Sequence, residues 1–293
     1  MGTDKNMDYK LAGCVILYNP DNDVIRNVTS YIDHIECLYV VDNKNGDKII
    51  NKLQAKYSEK IIPVRHLENM GIAYSLNEVT NLAKKKYDLL LTMDQDSCFY
   101  RDSMKVYKSE LAKFDWDETL GIGPAIVNYD FVDKDSTEVK WEGIIRLITS
   151  GNVISLKNAI KIGGFNEQLF IDEVDYDFCY KGVARGLKMY MNLSGVYLLH
   201  SLGNTFTRNV LGHTFYIMNH NKIRKYYIFR NRLVVAKSYW KVMGLGDTWK
   251  QYLKSNMRLV FDVIFFENDK IGKMKYMTLG LCDFIIGKLG KRF

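Results

Sequence analysis

Four short apolar runs, each followed by a polar stop, most constrain what this chain can become. Leu11–Tyr18 ends at Asn19-Pro20, and Cys37–Val41 ends at Asp42-Asn43. Ile61–Arg65 is followed by Asn69-Met70-Gly71, and Asp88–Met93 runs directly into Asp94-Gln95-Asp96. Runs of this length that do not alternate with polar residues read as strands buried on both faces. Between them, Asp23–Tyr31 and Ile49–Tyr57 read as helices. So does the segment opened by Asn69-Met70-Gly71, whose Ala73, Leu76, Val79, Leu82 and Ala83 fall at helical spacing. Ser103–Phe114 continues as helix and Leu120–Val127 as strand. This alternation predicts an α/β fold with a mostly parallel sheet and helices on both faces. Ligands of such sheets sit beyond the carboxyl ends of the strands. Asn19, Asp42, Asn69, Asp94 and Asp96 are therefore expected to border one crevice.

The pattern changes after Asp130. Phe131–Glu142 is polar and loop-like, and Arg146–Leu156 reads as a strand around a Ser150-Gly151-Asn152 turn. A short helix is expected over Lys157–Ile162, before Gly163-Gly164. Asp172–Arg185 is predicted helical, with its acids at the start, where the helix dipole favours them. Leu187–Asn192 and Val196–His200 are strand-like, and from Tyr216 onward basic, aromatic amphipathic helices are expected to dominate. The division read from this is a catalytic domain over 1–215 and a basic helical extension over 216–293.

The charge divides the same way. Residues 1–180 hold 21 Lys/Arg against 29 Asp/Glu, a net of −8, while residues 181–293 hold 20 against 5, a net of +15. One basic run is ordinarily a solvated face. So large an excess points to an anionic partner such as phospholipid, pyrophosphate or nucleic acid. The best apolar stretch, Tyr276–Ile286, is shorter than the ~18 residues of a membrane span and contains Asp283. The chain is expected to lie on a membrane at most, and no signal peptide is read at its start. Five dispersed cysteines without a CxxC pair argue against a disulfide framework and a thiolate zinc site, and so for a reducing cytoplasm. No GxGxxG follows a strand, and neither a P-loop nor a GxSxG elbow occurs, which removes the usual dinucleotide, NTPase and serine-hydrolase chemistries.

Four features could carry chemistry. Asp94-Gln95-Asp96-Ser97 offers two carboxylates two residues apart, able to converge on a hard divalent cation that would neutralise a diphosphate. Its alternative is a cap for the helix at Ser103. Asp172, Glu173, Asp175 and Asp177 crowd six residues. Some are ordinary helix-start acids, and one, desolvated or beside another carboxylate, would suit a general base. His200 ends an apolar strand and becomes a metal-ligand candidate beside a DxD site. His34, His66, His213 and His220 lack such a context. In Lys222–Arg232, Arg224, Tyr226, Tyr227, Arg230 and Asn231 suit phosphate or lipid contact, against the alternative of a solvated face.

Taken in order, these segments resemble glycosyltransferase family 2, which has the GT-A fold. The resemblance runs from about Leu11 to Asn231 through Tyr18-Asn19-Pro20, Val41-Asp42-Asn43, Asn69-Met70-Gly71-Ile72-Ala73 with Asn77, and Asp94-Gln95-Asp96-Ser97. Ser150-Gly151-Asn152, GGFNEQLFIDEVDYDFCYK and LLHSLGN follow. NMGIAYSLN, DQDS and LFIDEVDYDFC are most similar to bacterial rhamnosyltransferases of cell-surface polysaccharide assembly, which implies a dTDP-L-rhamnose donor. The resemblance implies that Tyr18, Asn19 and Asp42 hold the nucleoside base and that Asn69, Gly71 and Asn77 lie along the nucleoside diphosphate. It places Asp94 on ribose or metal, and Asp96 with His200 on Mg2+ or Mn2+. Ser150, Gly151 and Asn152 would shape the donor-sugar and acceptor side, and Arg230 is expected at the donor. Asp175 aligns with the catalytic base, with Asp172 second. The family commonly has Glu-Asp where this chain has Val174-Asp175, and Arg where it has Lys181.

The implied activity is an inverting, metal-dependent transfer of a sugar to a hydroxyl of a glycan or lipid-linked acceptor. The setting would be cytoplasmic or peripheral on the inner face of the cell membrane, with no nucleic acid expected as partner. UDP-glucose or UDP-galactofuranose as donor, or a non-catalytic basic binding module, are the competing readings.

Overall fold

The computed structural model describes residues 9–128, 130–131, 138–200, 205–210, 213–241 and 245–293. The first half follows the strand–helix alternation in β1 (Leu11–Tyr18), α1 (Asp23–Thr29), β2 (Cys37–Lys44), α2 (Asp47–Tyr57), β3 (Ile61–Arg65), α3 (Ile72–Ala83) and β4 (Leu89–Asp94). It continues with β5 (Ser97–Phe99), α4 (Ser103–Glu110), β6 (Thr119–Gly123), β7 (Ala125–Val127), β8 (Lys140–Gly143), β9 (Asn152–Ser155) and α5 (Leu156–Lys161). Then come α6 (Val174–Val183), β10 (Lys188–Ser194), β11 (Tyr197–His200), β12 (Thr205–Val210), β13 (His213–Met218), α7 (Lys222–Tyr239), α8 (Leu245–Phe265) and α9 (Lys270–Ile285).

Eight strands form one sheet in the order β3-β2-β1-β4-β9-β6-β10-β8. β1 pairs in parallel with β2 on one side and β4 on the other, while β9 and β8 run antiparallel to their neighbours. Strand order therefore reverses between β1 and β4, which makes their carboxyl ends the natural crevice. The period-2 alternation of β1 feeds two cores. Leu11, Val15 and Leu17 pack with α1, α2 and α4, whereas Ala12 and Cys14 pack with α3, α5 and α6. Each fully buried Leu or Val contributes about 1.5–3 kcal/mol, so burial on both faces fixes the sheet and thereby the strand ends.

Three sequence expectations change. The run Leu120–Val127 is two strands in two sheets, because Pro124 breaks the ladder between β6 and β7. The helix expected from Asp172 begins at Val174, since Asp172 and Glu173 lie in the left-handed region at φ 61° and 63°. The strand expected over Arg146–Leu156 is confined to Asn152–Ser155.

The helical C-terminal region begins at Lys222, after the β12–β13 hairpin. There α7 packs on α6, α8 and α9. Among the described residues no helix is long and apolar enough to cross a membrane. The start of LLHSLGN is described through His200, and its remainder lies outside the described residues.

Candidate active site

A three-stranded sheet, β5-β11-β7, assembles the first part of the site. β11 pairs antiparallel with β5, placing His200 opposite Ser97. His200 Nδ1 lies 2.7 Å from Ser97 Oγ and 3.9 Å from Asp96 Oδ1. Asp94, Asp96 and His200 can each turn one ligand atom to within 4.8 Å of the others. Asp94 is held by its own backbone N–H, which donates to Ser150 Oγ at 3.3 Å. Burial pushes the Asp94 carboxyl up to about 6.

The second carboxylate group faces the same opening. A pocket of about 290 Å³ is bordered by Asp94 and His200 on one side and Asp172, Glu173 and Asp175 on the other, with Arg224, Arg232 and His220 from the C-terminal region. Two of its acids are committed. Arg224 reaches Asp172 with Nε at 3.2 Å and Nη2 at 3.1 Å, and Arg232 Nε lies 3.3 Å from Glu173, whose other oxygen accepts from Tyr252 Oη at 3.0 Å. Asp175 forms no ion pair among the described residues and accepts only from the Tyr176 N–H, at 2.9 Å. Burial, with the charges of Glu173, Asp94 and Asp172 adding to it, pushes its carboxyl up to about 7. Cationic partners on Asp172 and Glu173 and none on Asp175 leave Asp175 as the group able to accept a proton near neutrality.

The remaining expected residues fall along the carboxyl edge, with two exceptions. Tyr18 is half exposed at the end of β1, and its N–H and C=O are both bridged by the Gln95 side chain, at 2.8 and 3.2 Å. Asn19 sits beside it at φ 46°, accepting from Asn45 Nδ2 at 2.6 Å. Asp42 is buried and accepts from the Gly46 N–H at 2.8 Å. Asn69 accepts from the Gly71 N–H at 2.9 Å. Gly71, at φ 86°, has no room for a Cβ, which would lie 2.6 Å from the Phe170 ring and carbonyl. The Gly151 N–H donates to Thr92 O at 2.8 Å, which fastens the buried Ser150–Asn152 turn to the end of β4.

Asn77 is not at the crevice. Its amide donates to Phe165 O and Glu167 Oε1 and accepts from the Phe165 N–H, so it holds α3 to the 164–167 loop. Arg230 is not there either. It is fully buried, with its guanidinium 5.1 Å from both the Tyr226 and Tyr227 rings and donating to Gly290 O and Tyr226 Oη. The cations that do reach the pocket are Arg224 and Arg232. With Ile228 between them they mark an i, i+4, i+8 face of α7, a spacing visible in the sequence. His220, given no role from sequence, also borders the pocket, and burial among cations pushes its imidazole down to about 4.

Residues 14–170, more than half of the chain, match the family described as Glycosyl transferase family 2. The chain belongs to that family. Over an alignment 312 positions long it is 22% identical to the dTDP-rhamnosyl transferase RfbF of Shigella flexneri, covering 97% of this chain and 98% of that protein. Among solved structures it resembles the mannosyltransferase PcManGT from Pyrobaculum calidifontis in complex with GDP-Man and Mn2+. The TM-score is 0.57 at 13% identity, over 96% of this chain and 76% of that one. It also resembles S. aureus TarS 1-349 in complex with UDP-GlcNAc, with a TM-score of 0.59 at 13% identity, over 94% and 80% of the two chains. The fold is that of the GT-A glycosyltransferases, as expected from the ordered motifs.

Proposed function

We propose that this family 2 glycosyltransferase moves L-rhamnose from dTDP-L-rhamnose, with inversion, to a hydroxyl of a glycan or lipid-linked acceptor in cell-surface polysaccharide synthesis. One observation carries the reading: the acids at 94 and at 172–175, far apart in the chain, open onto a single pocket with His200. The choice of rhamnose is supported by the name of the Shigella flexneri relative, which aligns over nearly the whole of both chains.

The donor set fits a hard divalent cation. Asp94 and Asp96 supply carboxylate oxygens, and the contact of His200 Nδ1 with Ser97 leaves Nε2 for a further ligand. Mg2+ or Mn2+ held there would offset the charge of the departing diphosphate. Arg224, 44% exposed at its side chain and tied to Asp172, adds fixed positive charge on the same side. Tyr18, Asn19, Asp42, Asn69 and Gly71 bind the nucleoside end along the edge of the sheet. The Ser150–Asn152 turn shapes the floor next to the sugar.

Asp175 takes the proton of the acceptor hydroxyl. The new bond forms from that oxygen to the anomeric carbon as the bond to the diphosphate oxygen breaks on the opposite face. One displacement inverts the centre, so one base suffices. The helical region from Lys222 completes the catalytic pocket with Arg224 and Arg232 and works at the inner face of the cell membrane.

The test is a panel of nucleotide sugars with Mn2+, read by nucleotide release in the presence of a hydroxyl acceptor. dTDP is expected from dTDP-L-rhamnose. Release of UDP from UDP-glucose or UDP-galactofuranose instead would move the donor within the same chemistry. Release from no donor would defeat the enzymatic reading.

A further inference from the structure

Helix α8 presents two unlike faces. Leu259 faces the pocket and Val263 is fully buried, while Leu253, Met257, Phe261, Ile264 and Phe265 are 55%, 64%, 39%, 43% and 61% exposed. These five recur at helical spacing, so they form one stripe on the outer side. With Lys250 at its start, the stripe is about 22 Å long at 1.5 Å per residue. Large apolar side chains exposed singly are ordinary, but a continuous stripe of them marks a contact surface.

The charges around the stripe select the occupant. Lys250 and Lys254 are exposed beside it. The acid of this helix nearest the stripe, Asp262, is turned inward and paired with Arg258 at 2.7 Å. The neighbouring acids Glu267 and Asp283 are buried as well, each at 2% exposure. Folding thus hides these three carboxylates, leaves Asp269 exposed beyond the end of the helix, and leaves lysine next to hydrocarbon along the stripe. This composition suits an interfacial helix on an anionic bilayer, with the apolar side chains in the acyl boundary and lysines at the headgroups.

We propose that the outer face of α8 docks on an anionic phospholipid bilayer and so presents the pocket to a lipid-linked acceptor. The proposal rests on the transferase reading above and gives its acceptor side a location. The side of α8 that carries Leu259 borders the pocket, which sets the site about one helix thickness, 10 Å, from the stripe.

The test uses the full chain and two sets of vesicles, phosphatidylcholine alone and phosphatidylcholine with phosphatidylglycerol. Co-sedimentation is expected with the anionic vesicles and should decline as salt rises. The double variant Met257→Glu/Phe265→Glu should bind about tenfold more weakly or worse, since it puts two charges in the acyl boundary. Lys250→Glu/Lys254→Glu should lose the preference for anionic lipid. Both variants should keep wild-type nucleotide release with a soluble acceptor, because none of these side chains touches the pocket.

Equal vesicle binding by wild type and Met257→Glu/Phe265→Glu would overturn the proposal. So would a wild-type dimer in sedimentation velocity that this variant dissociates while vesicles are ignored. Stripe-dependent vesicle binding without nucleotide release would uphold the surface and defeat the transfer reading. Nucleotide release without vesicle binding would do the reverse.

Discussion

The sharpest consequence of the site is a pH profile that belongs to one residue. In the proposed reaction Asp175 acts as a base only when ionised, and burial with neighbouring carboxylates pushes its pKa up to about 7. The sign follows directly: turnover falls as pH drops through 7, because the proton then occupies the acceptor position. With a midpoint near 7, kcat at pH 6 should be roughly one tenth of that at pH 8. A solvated aspartate, titrating near 3.9, would give no slope in this range. Asp175→Asn should cut kcat by about 10²–10⁴-fold and flatten the residual rate. Each tenfold corresponds to about 1.4 kcal/mol on the barrier.

Two controls separate this from other titrations. Asp94, raised by burial to about 6, also ionises in the range, but in its proposed ligand role it would act on donor and cation affinity. Turnover measured at saturating donor and Mn2+ therefore isolates Asp175, whereas the Asp94 titration appears in KM. Among the neighbouring charges, Glu173 raises Asp175 most. Glu173→Gln removes that charge and frees Arg232, and both changes favour the ionised base. The acid limb of kcat should move to lower pH. A flat profile from pH 5.5 to 8 in the wild type, or an Asp175→Asn variant with the same limb, would refute the assignment.

Asp96→Ala, or excess chelator acting on the wild type, should raise the donor KM and abolish the Mn2+-dependent thermal stabilisation by donor, measured by differential scanning fluorimetry. Full activity in chelator would exclude the metal reading of Asp94, Asp96 and His200. Glu267 is held between Lys225 and Lys273, at 2.5 and 2.8 Å, with all three side chains buried. Glu267→Gln leaves two buried lysines facing a neutral amide, and should cost about 3–5 kcal/mol, seen as a lowered urea midpoint at unchanged slope. A loss below about 1 kcal/mol would mean that the cluster is more hydrated than its burial indicates.

Much of this architecture was written locally. β1 and β3 have the bounds set by their apolar runs, because burial on both faces leaves no freedom in where such a run begins or ends. Asp94 and Asp96 were legible as a strand end. The partnership of His200 with them was not, since it depends on β11 pairing with β5 across about 100 residues, and no local pattern encodes that register. The left-handed Asp172 and Glu173 escaped for another reason. Non-glycine residues enter that region only when surroundings hold them, and here the holding groups are Arg224, Arg232 and Tyr252 from the far end of the chain. Pro124 was a readable break inside an apolar run. The Arg224–Ile228–Arg232 face was readable too, whereas the burial of Arg230 was not, because it depends on Tyr226, Tyr227 and the segment around Gly290.

The charge asymmetry read from the sequence then resolves into three physically different uses. Arg224 and Arg232 neutralise acids of the opposite half inside the pocket, so part of the +15 is there to hold the −8 half in its working shape. Lys225, Lys273 and Arg230 are buried and tie the C-terminal helices to one another and to the 168–169 loop, where they have no access to an outside partner. Exposed cations such as Lys250 and Lys254, beside the apolar stripe of α8, remain to meet an anionic surface. A net charge counted from the sequence overstates the attraction to a surface, because cations spent on internal carboxylates add nothing to it. The exposed lysines and the hydrocarbon next to them carry that attraction, which is why the docking test substitutes α8 and leaves α7 untouched.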